Sequence, residues 1–124
     1  GGWTIYLDTN NNGLRDTGEE STITAADGSY RLRTLKPVSY AVPVDGPVGS
    51  LLTKLGRHPY RPAHIHFIVS APGYKPVVTQ IYTEGDEYLE SDAVFGVKHS
   101  LVVDYHRDGN EWKVDYDFVL EPAA

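Results

Sequence analysis

The chain has 124 residues, 40% of them apolar, with no cysteine, no methionine and a formal charge of −6 from 17 acidic against 11 basic side chains. That length fits one domain and buries roughly two-thirds of the unfolded chain's surface on folding, enough for a real core. The composition excludes disulfide and thiolate chemistry, contains neither a signal peptide nor the ~18 consecutive apolar residues of a membrane span, and gives nucleic acid no basic run to bind.

The chain opens Gly1-Gly2-Trp3 without a methionine, which reads as a processed, trimmed or engineered N-terminus. Trp3 to Leu7 reads as a short strand and Asp8 to Glu20 as a polar loop. Ser21 to Ala25 and Ser29 to Leu35 flank Ala26-Asp27-Gly28, a hairpin signal because glycine accepts positive φ. Lys36 to Gly49 holds Pro37, Pro43 and Pro47 and reads as an irregular excursion. Leu51, Leu52 and Leu55 predict one or two helical turns over Ser50 to Leu55, ended by Gly56. Ala63 to Val69, Val77 to Tyr82 and Val97 to Tyr105 read as strands. Arg107-Asp108-Gly109-Asn110 turns the chain into an alternating strand over Trp112 to Leu120. The expected fold is all-β, a β-sandwich with irregular loops and one short helix, in a single domain over 1–124.

Two constellations can carry chemistry. His64 and His66 lie one residue apart in a predicted strand, so their imidazoles leave the same face and converge, as a metal site needs. Neutral imidazole suits Fe, Zn, Cu and Ni alike, so the pair by itself does not choose a metal. The plain reading of such a pair is one buried, satisfied histidine and one coincidence; the neighbours argue for more. Arg61 lies three residues upstream, Gln80 on the next strand and Tyr40 in the proline-rich segment. An arginine there hinders metal affinity but suits a negatively charged bound substrate, and a phenolate is a hard anionic ligand.

The second constellation is Asp8-Thr9-Asn10-Asn11-Asn12-Gly13-Leu14-Arg15-Asp16-Thr17-Gly18-Glu19. It matches the twelve-residue Ca2+ loop in full: oxygen donors at Asp8, Asn10, Asn12 and Asp16, Gly13 for the sharp turn, the Leu14 carbonyl, and Glu19 closing the loop. The plain alternative is an Asn/Gly-rich surface turn. With no helices predicted to flank it, the loop resembles those of dockerin-type repeats and of β-sandwich repeats in bacterial surface proteins. The acidic run Glu84 to Asp92 reads as a solvated loop anchored by Tyr88 and Leu89. His58, His99 and His106 read as surface or outer residues.

Several ordered motifs carry a family resemblance: Gly46-Pro47-Val48-Gly49, Leu55-Gly56-Arg57-His58-Pro59-Tyr60-Arg61-Pro62-Ala63-His64-Ile65-His66, Ala71-Pro72-Gly73-Tyr74, Thr79-Gln80-Ile81-Tyr82, Tyr88-Leu89-Glu90-Ser91-Asp92 and Val94-Phe95-Gly96-Val97-Lys98. From about Asp27 to Tyr105 the chain resembles the intradiol ring-cleavage dioxygenases, and within them the catechol and hydroxyquinol 1,2-dioxygenases. The resemblance implies a β-sandwich and a non-haem Fe(3+) held by two tyrosines and two histidines. On this chain His64 and His66 match the histidine ligands and Tyr40 the second tyrosine. Arg61 matches the arginine that stabilises the substrate anion, and Gln80 the glutamine near the ring. The implied partners are a small aromatic diol and O2, the implied product a cis,cis-muconate, and the implied setting cytoplasmic, whereas the Ca2+ loop points to an extracellular one. A homodimer stays open, because the family's N-terminal helical element for dimer formation is absent. The first tyrosine ligand has no match: Gly13-Leu14-Arg15-Asp16 stands at its place, with arginine where the tyrosine falls, and Tyr6 is the other upstream candidate. Weak or absent turnover is therefore expected unless Tyr6 or another chain supplies that ligand. Two other readings stand beside the dioxygenase: a non-catalytic Ca2+-stabilised β-sandwich binding module, and a Zn or Cu enzyme using Tyr40, His64 and His66.

Overall fold

The structure, a computed structural model, describes residues 1–123. They form two compact units, Gly1–Leu35 and the remainder from Lys36 onward. In the first unit, β1 (Thr4–Tyr6) pairs antiparallel with β2 (Ser21–Ile23), Thr4 opposite Ile23. Bonds from Leu7 N to Glu20 O at 2.9 Å and from Thr24 N to Trp3 O at 2.8 Å extend the pair at both ends. The Asp8–Glu19 loop joins the two strands. The turn at Ala26-Asp27-Gly28 forms, with Gly28 at φ +87 and Ala25 N bonded to Ser29 O at 2.8 Å. Its second arm does not become a strand over 29–35. Asp27 instead captures the Ser29 N–H at 2.9 Å and its hydroxyl at 2.7 Å, closing a local turn in place of a ladder.

In the second unit, β3 (Tyr40–Ala41) pairs antiparallel with β4 (Tyr60–Arg61), putting Tyr40 opposite Arg61. The proline-rich segment thus contributes a short strand where only irregular chain is expected, because Tyr40 and Ala41 lie between the prolines with their N–H groups free to pair. α1 (Pro47–Lys54) starts three residues before the expected Ser50, with Pro47 in its first turn, where a missing N–H costs nothing. It ends as expected: Gly56 at φ +63 takes the left-handed turn after the Leu55 cap. A side chain could not replace Gly49, whose Cβ would fall 2.0 Å from Val44 O.

The main sheet runs β5 (His64–Val69), β6 (Val77–Thr83) and β7 (Val102–Val103), with β6 antiparallel to β5 and parallel to β7. Along β5 the alternation holds: Phe67 and Val69 turn inward while His66 and Ile68 are exposed. β6 sinks as it advances, from the exposed Val78 to Ile81 and Tyr82, the deepest side chains of the core with Pro62. The strand expected over Val97 to Tyr105 is mostly something else, a 3-10 turn at His99–Leu101 followed by the two residues of β7. The turn at Gly109 links β8 (His106–Asp108) to β9 (Glu111–Lys113) as expected, but pairing stops at Lys113 instead of running to Leu120. The alternating residues beyond it are satisfied by packing: Phe118 lies 4.7 Å from Phe67 and 5.0 Å from Tyr116, ring centre to ring centre. Among the described residues, no helix is long and apolar enough to cross a membrane.

Candidate metal centre

The register of two strand pairs assembles the site. β5 against β6 places His66 opposite Gln80 and His64 opposite Tyr82, so these four side chains share one sheet face. β3 against β4 brings Tyr40 beside Arg61, and the Tyr40 ring centre lies 5.6 Å from that of His64. Tyr40, Arg61, His64, His66 and Gln80, separated by up to forty positions in the chain, are therefore neighbours in the structure.

Hydrogen bonds decide which nitrogen faces the centre. His64 Nδ1 lies 2.7 Å from Pro62 O, which can only accept, so Nδ1 carries the proton and Nε2 presents its lone pair. That Nε2 sits 3.2 Å from His66 Nε2 and 3.0 Å from Arg61 Nη1. A backbone carbonyl fixing the ring and tautomer from behind is the support a metal-binding histidine needs. Partial burial of the rings is the main cause that holds both imidazoles below their ordinary pKa, with the Arg61 charge adding to it; on His64 the bond to Pro62 O opposes this, outweighing the Arg61 charge but not the burial. Both are thus biased towards the neutral form that ligates metal. The donor set fits a single hard-to-borderline metal ion: two imidazole nitrogens aimed at one point and a phenol alongside.

Arg61 is 6% exposed. Burial opposes its charge, but the bonds to Asp92 and Tyr40 outweigh it and raise the guanidinium's pKa. Nε meets Asp92 Oδ1 at 3.1 Å, while Nη2 reaches Asp92 Oδ2, Gln80 Oε1 and Tyr82 Oη, each at 3.4 Å. The sequence reading missed Asp92, and the structure corrects it: this last residue of the acidic run is 3% exposed and ion-paired. A signal was present, since a buried arginine calls for a carboxylate, and Asp92 runs into the apolar pair Ala93-Val94. Tyr82 was missed as well. It is fully buried, and burial raises its pKa despite the nearby Arg61 charge.

The other expected site lies in the first unit. Asp8 accepts from Asn12 N at 3.1 Å and Gly13 N at 2.8 Å, and Asp16 from the Asn10 and Asn12 amides at 2.6 and 2.7 Å. Glu19 binds Asp16 N at 2.9 Å and Thr9 N at 2.8 Å, and Leu14 N reaches Asn12 Oδ1 at 2.7 Å. All six expected positions thus belong to one compact loop. Tyr6, the candidate for the unmatched tyrosine, donates its hydroxyl to Gly13 O at 3.2 Å. His58, read as an outer residue, bonds Ser91 Oγ through Nε2 at 2.8 Å. Among the described residues no cluster of three or more His, Cys, Asp and Glu is arranged to hold a metal, so a centre at His64 and His66 needs the tyrosine as a donor.

Fold and donor set together define a class: β-proteins that gather imidazole and phenol donors beside a buried guanidinium. The family model described as Dioxygenase matches residues 7–122. The chain is 53% identical over 99 residues to 6-chlorohydroxyquinol 1,2-dioxygenase from Cupriavidus pinatubonensis, covering 78% of this chain and 36% of that protein. It is 50% identical over 111 residues to hydroxyquinol 1,2-dioxygenase from a Rhizobium species, covering 79% and 38%. The solved hydroxyquinol 1,2-dioxygenase from Pseudomonas putida DLL-E4 superposes with a TM-score of 0.77 at 40% identity, covering 85% of this chain and 41% of that one. The chain belongs to the dioxygenase family, in its intradiol ring-cleaving branch. The β-sandwich fold class expected from the strand pattern is that of these relatives. The chain spans well under half the length of the curated relatives it matches. The family uses a ferric ion, and the comparisons lend no support to a calcium-stabilised binding module.

Proposed function

We propose that this chain carries the ferric centre of an intradiol dioxygenase, which cleaves a catechol-type ring between its two hydroxyls with O2 to give a cis,cis-muconate-type product. The observation that carries the reading is the pair of Nε2 atoms 3.2 Å apart, with the His64 ring locked from behind by Pro62 O. His64 and His66 would hold the ion through Nε2 and Tyr40 through its phenolate oxygen. A ferric ion held there would supply Lewis acidity that favours deprotonation of a bound diol and draws electron density from its ring. The chain's own residues do the rest. Tyr40 Oη can take up a proton that the diol loses. Arg61, fully charged and largely shielded from water, stabilises the negative charge of the deprotonated diol and of the anion that develops from it. Gln80, opposite His66 and bonded to Arg61, borders the ring.

With Arg15 standing at the first tyrosine's place, turnover by this chain alone is expected to be weak or absent. A second, separable proposal is calcium in the Asp8–Glu19 loop, supported by the match of residue types and spacing to a Ca2+ loop and by the hydrogen bonds that tie Asp8, Asn10, Asn12, Asp16 and Glu19 into one turn. We read the chain as one intradiol-dioxygenase-like domain, since the family match runs through both compact units. Metal analysis with a visible spectrum tests the centre: iron bound in the ratio of one per chain, with tyrosinate-to-iron absorption, is expected. Zinc or copper instead, or no transition metal, overturns it. Catechol consumption followed at the muconate absorption band tests the reaction, and full family-level turnover would overturn the expectation of a crippled site.

A further inference from the structure

Arg61 carries the charge that the proposed chemistry needs, but a guanidinium on its own is free to turn about its stem. Here one edge of the plane is pinned: Nε and Nη2 both face the Asp92 carboxylate, at 3.1 and 3.4 Å. A planar fork held along that edge has no rotation left, and its third corner must point away from the carboxylate. That corner is Nη1, which meets His64 Nε2 at 3.0 Å. Asp92 is immobilised in turn. Its carboxylate accepts the Gly96 N–H at 2.9 Å and the Val94 N–H at 3.3 Å, and its side chain is 2% exposed. From the other side Arg57 Nη2 donates to Asp92 O at 2.9 Å, and the Arg57 guanidinium carbon lies 4.0 Å from the Phe95 ring centre. Gly96 closes the arrangement by lacking a side chain. A Cβ there would lie 2.9 Å from Tyr82 Oη, 3.1 Å from Arg61 Nη2 and 3.2 Å from Asp92 Oδ2.

We propose that Asp92, braced by the Val94 and Gly96 N–H groups, is a positioning residue that aims Arg61 Nη1 at the His64/His66 pair, and that Gly96 preserves this aim because a Cβ there must push Tyr82 Oη aside and crowds the guanidinium and the Asp92 carboxylate. The proposal deepens the reading above and rests on Arg61 as the group that meets the substrate anion. Neither Asp92 nor Gly96 touches the donor set, so both act through Arg61.

The test uses the full iron-loaded chain with catechol as probe, comparing wild type with Arg61→Lys, Asp92→Asn, Gly96→Ala and the Arg61→Lys/Asp92→Asn double variant. Catechol affinity is read under anaerobic conditions from the change in the visible spectrum, so the readout does not need turnover. Each single variant is expected to weaken binding roughly tenfold, the order expected for a misplaced charged hydrogen bond, with iron content unchanged. The double variant is expected to be no weaker than Arg61→Lys alone, the non-additivity of two residues acting through one group. If Arg61→Lys weakens binding but Asp92→Asn and Gly96→Ala do not, or if the two losses simply add, the positioning role is overturned while the reading of Arg61 stands. If Arg61→Lys binds catechol like wild type, or wild type takes no catechol, the reading of the site falls and the proposal with it. Should Asp92→Asn not fold, Gly96→Ala decides: unchanged affinity in the folded variant overturns the proposal.

Discussion

The Asp8–Glu19 loop and the strand face around His64 are both clusters of polar groups, and they are held together in opposite ways. In the loop the organising bonds join residues two to ten positions apart, and most of the groups are exposed. Around His64 the decisive bond, from Arg61 to Asp92, spans thirty-one positions and is buried at both ends. Chain connectivity alone brings the loop's groups together, so water competes for each bond and each is worth little. Beside the strand face Arg61 and Asp92 have left water. An ion pair there is dangerous to break, because the surviving partner is left as an uncompensated buried charge. The difference teaches where each cluster is vulnerable: the loop to competing water, the buried ion pair to the loss of either partner.

The largest expected effect tests that vulnerability directly. Asp92→Ala strands the Arg61 guanidinium and is expected to cost ~3–5 kcal/mol, read as a lower denaturation midpoint in urea. A loss under ~1 kcal/mol would mean that Arg61 finds solvent, and would erase the contrast with the loop. Next comes calcium. At a free concentration of ~100 times its Kd, an ion bound in the loop adds ~2.7 kcal/mol, so chelation should lower the melting temperature measurably. An unchanged melting temperature would leave the loop as a turn that satisfies itself. The smallest effect is in acid. Burial pushes the Asp92 pKa up, but the bonds from Arg61, Gly96 and Val94 together win and hold it below 3.8. A depressed folded-state value contributes stability that is complete above the ordinary carboxylate range and is lost as pH falls through the lowered value. The stability gap between wild type and Asp92→Asn should therefore be full at neutral pH and narrow below about pH 4. A gap independent of pH would show that the carboxylate's charge is not what holds Arg61.

Much of the centre was legible because it rests on short-range rules. Spacing alone put His64 and His66 on one strand face, and the strand at His64–Val69 formed within one residue of its expected start. Gln80 could be named from a family motif, but its place opposite His66 comes from a register that no local pattern specifies. Tyr40 was named too, while the two-residue strand that carries it was hidden among prolines. Asp92 was invisible because acidic runs are usually solvated, and only the buried arginine across the fold reverses that default. The strand expected over Trp112 to Leu120 failed for a related reason. Alternation reports which side chains are inward, not whether a neighbouring backbone is present to pair.

By itself, then, the amino-acid sequence determined the fold class, the family, the paired imidazoles and the loop of oxygen donors. Each of these depends on residue type and on spacings of a few positions, which covalent geometry turns into structure. Only the tertiary structure decided which nitrogen of His64 presents its lone pair, that Tyr40 lies beside Arg61, and that a carboxylate thirty-one residues away holds the guanidinium in place. The physical reason is the cost of burying charge. A guanidinium can leave water only where distant parts of the chain together complete its hydrogen bonds, and that completion exists only once the chain has folded.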